Sequence, residues 1–198
     1  MKIEAVIFDL DGTLTEPLLD FGQIRAEIGI FDDSKDILGA IEEMPPHQQQ
    51  QAHQILTHHE QYAARNSRLN DGAAVVLERL RKMGLPIGLL TRNTMDNALL
   101  VARTHALKFD AILDRDSGPA KPDGFGVRTL CEMFKVEPRK TLVVGDFHHD
   151  LLAATNAGAI AVLLKTHPRS DEFESDADYT IDHLSEIFDI IHRLEQDY

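Results

Sequence analysis

Short apolar runs alternate with amphipathic helical patterns along most of the chain, and that alternation narrows the possible folds sharply. EAVIF (Glu4–Phe8), PIGLLT (Pro86–Thr91), AILD (Ala111–Asp114), TLVVG (Thr141–Gly145) and IAVLL (Ile160–Leu164) read as strands. Several are apolar on both faces, as parallel strands covered by helices on each side must be. Helical periodicity fills the gaps. Between Gly72 and Met83, the residues Ala73, Val76, Leu77, Leu80 and Met83 form one stripe, and Gly84 supplies a stop. Thr94–Ala106, Gly124–Phe134, Asp150–Ala157 (ending at Gly158) and a last stretch from about Leu184 to Leu194 behave alike. The alternation predicts an α/β fold with a doubly wound, mostly parallel sheet.

One segment departs from the pattern. From Thr15 to Asn70 no convincing strand is visible, only helix-like stretches and the patch PPHQQQQAHQ. It is expected to form a small α-helical insertion, residues 15–70, in a core made of residues 1–14 and 71–198. The Pro45–Pro46 pair is expected to separate two of its helices, because the residue before a proline avoids the helical region. No run approaches the ~18–20 apolar residues that span a bilayer. The opening MKIEAVIF enters a strand pattern directly, without a long apolar leader. The single cysteine, Cys131, flanked by Leu130 and Met133 on an amphipathic helical pattern, reads as core. Both features fit a reducing, cytoplasmic setting.

Charge removes some functions and complicates others. With 20 Lys and Arg against 33 Asp and Glu, the formal net charge is −13. So acidic a surface disfavours nonspecific binding to nucleic acid or anionic membranes. An anionic ligand would need a local cluster of cations to overcome the field.

In an open α/β sheet, ligands bind beyond the carboxyl ends of the strands. The first strand ends in Asp9 and Asp11, with Gly12 and Thr13 turning the chain. The second ends in Thr91, followed by Arg92 and Asn93. After the third, GPAKPDG offers Lys121, and the fourth ends in GDFHHD with Asp146 and Asp150. Carboxylates converging on one point repel unless a cation sits among them. All-oxygen ligation with few protein ligands suits Mg²⁺, which keeps waters and accepts a phosphate oxygen. Residues two apart on a strand face the same way, so Asp9 and Asp11 can share one ligand. The Thr91 hydroxyl and the Lys121 ammonium suit the remaining phosphate oxygens, and helix N-termini at the same rim add N–H donors.

DLDGT, the threonine closing the second strand, the lysine of AKPDG and GDFHHD occur here in one order. Together they resemble the signature of the haloacid dehalogenase-like hydrolase superfamily, and the insertion is similar to the small helical cap of its phosphoglycolate-phosphatase-like members. The resemblance covers about Lys2 to Leu164, and DADYTIDHLSEI looks like the family's closing strand and helix. It implies a Rossmann-like core and a Mg²⁺-dependent phosphatase acting on a small phosphorylated metabolite. Asp9 would attack phosphorus, and Asp11 would serve as acid and then base. Asp9, Asp11 (through its backbone carbonyl) and Asp146 would hold the metal, with Asp150 in support. Thr91, Arg92, Asn93 and Lys121 are the phosphate-binding set, and the cap would close over the site. Phe147, His148 and His149 depart from the small residue common in the family's last motif.

The remaining candidates carry weaker signals. Arg25, in FGQIRAEIGI, is the favoured specificity residue, ahead of Arg65 and Arg68. His47, His53, His58 and His59 fit no compact ligand spacing and read as a solvated helix. Two other functions stay open at this point. One is a phosphomutase of the β-phosphoglucomutase type; the other is a receiver-type signalling module, against which the placement of DLDGT on the first strand argues.

Overall fold

The computed structural model describes residues 1–32 and 36–196. Positions 33–35, inside the expected insertion, and 197–198, at the end of the expected core, lie outside the described residues. Six strands form one parallel sheet: β1 (Ala5–Phe8), β2 (Ile87–Leu90), β3 (Ala111–Leu113), β4 (Thr141–Gly145), β5 (Ile160–Leu164) and β6 (Tyr179–Ile181). Their order is β3-β2-β1-β4-β5-β6, the doubly wound arrangement the alternation predicts. Strand order reverses beside β1, which pairs with β2 on one side and β4 on the other. Every residue of β1, β2 and β4 is buried, which accounts for their unbroken apolar runs.

The chain divides into two compact units, one comprising Met1–Pro17 with Ser67–Tyr198 and the other Leu18–Asn66. The first holds the sheet and its helices α4 (Ala73–Lys82), α5 (Met95–Thr104), α6 (Phe125–Phe134), α7 (His148–Ala157) and α8 (Ile187–Gln196). In α6, Val127, Leu130 and Cys131 face a core shared with Ile7, Val143 and Leu163. Gly126 of that helix lies so close to β2 that a β-carbon there would stand 2.5 Å from Leu90 Cδ1. The last helix starts later than its periodicity implies, because Leu184–Glu186 form a single 3₁₀ turn first.

The second unit contains α1 (Phe21–Ile28), α2 (Ile37–Glu42) and α3 (Pro46–Arg65), packed around Ile24, Ile37, Ile41, Ala52 and Leu56. Asp20 and Asp36 cap α1 and α2 through their carboxylates. Pro46 occupies the first position of α3, where its missing N–H costs nothing. This unit is shorter than the 15–70 span expected from the sequence. Thr15 bridges to Leu69, and Glu16 N donates to Arg68 O, so both ends of that span join the sheet unit. Two-residue contacts of this kind leave no strand pattern in a sequence.

Candidate functional site

The loop after β1 is tightly wound around one carbonyl. Leu10 O accepts from Thr13 N, Leu14 N and Thr15 N at 3.0–3.3 Å, while Asp9 N is fixed to Val144 O of β4 at 2.9 Å. Gly12 has φ +94°, and a β-carbon there would lie 2.3 Å from Asp146 Oδ2. Glycine is therefore required twice, for conformation and for space. Thr13 Oγ1 donates to Asp146 Oδ1 at 2.8 Å, tying the β1 loop to the end of β4. Gly145 plays the same spatial part for Asp150, whose Cβ would stand 2.2 Å from a β-carbon at 145.

Lys121 reaches the same point from the far side of β2. Its Nζ donates to Asp9 Oδ1 at 2.5 Å, Asp150 Oδ1 at 2.6 Å and Leu90 O at 2.8 Å, which uses all three of its protons. The side chains of Lys121, Asp150 and Asp9 are 4%, 5% and 11% exposed, so these contacts act with little screening. Asp150 also braces its own helix, since its Oδ2 accepts from Phe147 N at 3.2 Å. The expectation that α7 begins at Asp150 is corrected here: the helix starts at His148, and Asp150 sits in its first turn. The capping partner is the reason, because Phe147 supplies the cap backbone that Asp150 satisfies from three residues on.

Thr91, Arg92 and Asn93 follow β2. Asn93 N donates to Thr91 Oγ1 at 3.0 Å, and Asn93 Nδ2 donates to Asp11 Oδ2 at 3.0 Å. The Asn93 side-chain oxygen accepts from Thr94 N and Asn97 Nδ2. The Asn93 side chain is thus occupied in orienting Asp11, and the Arg92 guanidinium meets His149 Nδ1 at 2.7 Å.

The acids repel and are poorly hydrated, and their affinities for protons show it. Burial drives Asp9 up to about 7, against the pull of Lys121 and with further upward push from Asp150 and Asp11. Burial also raises Asp11, opposed by the Asn93 hydrogen bond and by Lys121. Asp146 stands well above the usual carboxylate range through burial and the charges of Asp9 and Asp150. For Lys121 burial works against the charge, but Asp150 and Asp9 outweigh it and its pKa is raised. One ammonium does not offset four carboxylates. Asp9, Asp146 and Asp150 each offer an oxygen, all within 4.8 Å of one another. Such an all-oxygen acidic set suits a hard divalent cation.

Asn70 is a site residue that the sequence did not point to. Its Nδ2 donates to Gly12 O, Thr13 O and Thr15 O at 2.9, 2.7 and 3.1 Å, and Thr166 Oγ1 also donates to Gly12 O at 2.7 Å. In sequence, Asn70 in LNDG signals only a turn. Arg25 lies in the helical unit, where its Nη1 donates to Asp32 O at 3.0 Å. The α3 histidines make no metal cluster among the described residues, and His59 pairs with Glu27 at 2.9 Å. Cys131 is buried, as its helical stripe implies.

Residues 3–158 match the haloacid dehalogenase-like hydrolase family. The chain belongs to that family. As a haloacid dehalogenase-like hydrolase it is an enzyme, and the receiver-type reading falls away. The protein resembles uncharacterized hydrolase YOR131C of Saccharomyces cerevisiae, 29% identical over 98% of this chain and 94% of the yeast one. It is 25% identical to the N-acetylmuramic acid 6-phosphate phosphatase of Pseudomonas aeruginosa, over 98% of this chain and 96% of that one. A crystal structure of a hydrolase from Pseudomonas syringae shares the fold, with TM-score 0.81 and 21% identity over 96% and 98% of the two chains. No helix among the described residues of this hydrolase is long and apolar enough to cross a membrane.

Proposed function

We propose that this hydrolase is a Mg²⁺-dependent phosphomonoesterase of the cytoplasm, acting on a small phosphorylated metabolite through an aspartyl-phosphate on Asp9. The observation that carries the reading is the buried junction of Lys121 with Asp9 and Asp150, beside Asp146, at the point where strand order reverses. The similarity to a phosphatase of N-acetylmuramic acid 6-phosphate supports the same reaction class.

Asp9, Asp146, Asp150 and the backbone carbonyl of Asp11 would hold Mg²⁺. Bound there, the ion would neutralise phosphoryl charge. Thr91, the backbone of the Arg92–Asn93 loop and Lys121 would hold the phosphoryl oxygens; positioning and charge compensation supply most of the rate in such transfers. Asp9 attacks phosphorus, the P–O ester bond breaks, and the leaving oxygen takes the proton of Asp11. The raised proton affinity of Asp11 favours the protonated form this step needs. Water then attacks the aspartyl-phosphate and gives its proton to Asp11, releasing phosphate and restoring Asp9. Arg25, in the helical insertion, is the favoured specificity residue.

A panel of phosphate esters, with and without Mg²⁺ and read as free phosphate, tests the proposal. Phosphate release from at least one ester, requiring Mg²⁺ and lost in Asp9→Asn, is expected. Release that survives in Asp9→Asn within tenfold of wild type, or isomerised sugar phosphate without free phosphate, would overturn it.

A further inference from the structure

Asn93 lies just past β2 and Asn97 in the first turn of α5, and both are only 4% exposed. Burying an amide is unfavourable unless its oxygen and its N–H groups find partners. The Asn93 oxygen finds two: Oδ1 accepts from Thr94 N at 2.8 Å and from Asn97 Nδ2 at 2.9 Å. A main-chain N–H only donates, so Thr94 N settles which end of the Asn93 amide is the oxygen. The Nδ2 end then faces Asp11 and donates to its Oδ2 at 3.0 Å.

The N-cap of α5 is Thr94, which puts Asn97 at the third helical position. A polar side chain there commonly reaches back to the N–H of the cap. In this chain Asn93 Oδ1 takes that N–H, and Asn97 donates to the same oxygen instead. Two donors from the start of α5 therefore grip one end of the Asn93 amide. Because the amide is planar, fixing that end fixes the other, which holds Asp11.

We propose that Asn93 and Asn97 act in series as positioning residues for the proton transfer at Asp11. The inference rests on the phosphatase reading and deepens it at one step, the departure of the alcohol. As Asp9 attacks phosphorus, the P–O ester bond breaks, its electron pair stays on the leaving oxygen, and that oxygen takes the proton of Asp11. An oxygen that already accepts an N–H bond is the poorer seat for a proton, so Asn93 leaves the proton to Asp11 Oδ1. Asn93 sets the rotation of the carboxyl group, and Asn97 keeps Asn93 from turning. When water attacks the aspartyl-phosphate, the same oxygen takes the proton back.

Leaving groups separate this role from a general weakening of the fold, because an alkoxide needs a proton to depart and p-nitrophenolate does not. Asn97→Leu keeps the bulk and loses the donor, while Asn97→Asp keeps the shape and sets an acceptor against Asn93 Oδ1. Both variants and the wild type are assayed in saturating Mg²⁺ on p-nitrophenyl phosphate and on the alkyl ester of the panel that is turned over best. The ratio kcat/KM is the quantity to compare, since it covers the half-reaction in which the alcohol leaves. On the alkyl ester it is expected to fall about threefold to tenfold in Asn97→Leu and about tenfold to a hundredfold in Asn97→Asp, with p-nitrophenyl phosphate changed less than about threefold. Equal losses on the two esters would overturn the proposal. Crystal structures of the variants give a reading free of turnover. In Asn97→Asp the Asn93–Asp11 contact is expected to open beyond about 3.5 Å or to split between two orientations, and an unmoved contact would overturn the proposal. Wild-type phosphate release is read first, so its failure counts against the reaction, and an unmoved contact counts against the two asparagines.

Discussion

Lys121 Nζ stands 2.5 Å from Asp9 Oδ1, although 112 residues separate the two in sequence. The same ammonium touches Asp150 and the Leu90 carbonyl, so its removal leaves two acids facing each other in a poorly hydrated site. Lys121→Met is therefore expected to lower turnover by about 10²–10³-fold, the usual cost of losing one preorganised donor to a phosphoryl or oxyanion group. Steady-state kinetics on the best ester of a panel checks this. A loss below tenfold would place the lysine outside the transfer step.

Gly12 leaves no room for a methyl group beside Asp146, and its φ of +94° suits no other residue well. Gly12→Ala should displace the Asp146 carboxylate and raise the Mg²⁺ concentration for half-maximal activity by about tenfold or more, as losses around metal ligands commonly do. Titrating activity with Mg²⁺ reads the shift. An unchanged requirement would separate Asp146 from the metal.

Asn70 satisfies three carbonyls of the β1 loop with one amide group. Asn70→Leu is expected to cost about 1–3 kcal/mol of stability, because Thr13 O loses its donor while Gly12 O keeps Thr166 Oγ1 and Thr15 O keeps Gly12 N. Urea denaturation measures it, and turnover should fall as the loop that carries Asp11 loosens. Stability within about 0.5 kcal/mol of wild type, the size of ordinary surface substitutions, would show that other donors replace the amide.

The acids' raised proton affinities give a signed pH effect. Asp9 is raised to about 7 from an ordinary value near 3.8, so between those values the folded chain binds more protons than the unfolded one. In EDTA this contribution stabilises at low pH and fades as pH climbs towards 7. Mg²⁺ competes with those protons, so the Tm gain on adding it should be small at pH 5 and grow by pH 7.5. Thermal melts across that range test the sign. A gain that shrinks with rising pH would contradict it.

What the sequence made legible follows from what each residue needs from its neighbours. Asp9, Thr91 and Asp146 could be picked out because each directly follows an apolar strand, Lys121 and Asp150 because they lie in the segments leading from strand ends into the next helix, and the strand ends of a doubly wound sheet meet at one rim. Their shared geometry needed no pairing to be known in advance. Asn70 and Thr166 are different. Their targets are backbone carbonyls of the β1 loop, and a backbone carbonyl has no sequence signature. The Arg92–His149 contact depends on β1 lying between β2 and β4, an order that alternation alone leaves open. The helical unit spans Leu18–Asn66 where the sequence suggests 15–70 for a related reason, since Thr15 and Leu69 pair through an isolated bridge.

The most direct measurement is to trap the acyl-phosphate. Enzyme mixed with an ester that it turns over is quenched during turnover and reduced with borohydride, which converts an aspartyl-phosphate to homoserine. Peptide mass spectrometry should find homoserine at position 9 and no reduction at Asp11, Asp146 or Asp150. Steady phosphate release with position 9 unmodified, or with homoserine at another of these acids, would contradict the assignment of Asp9 as the nucleophile.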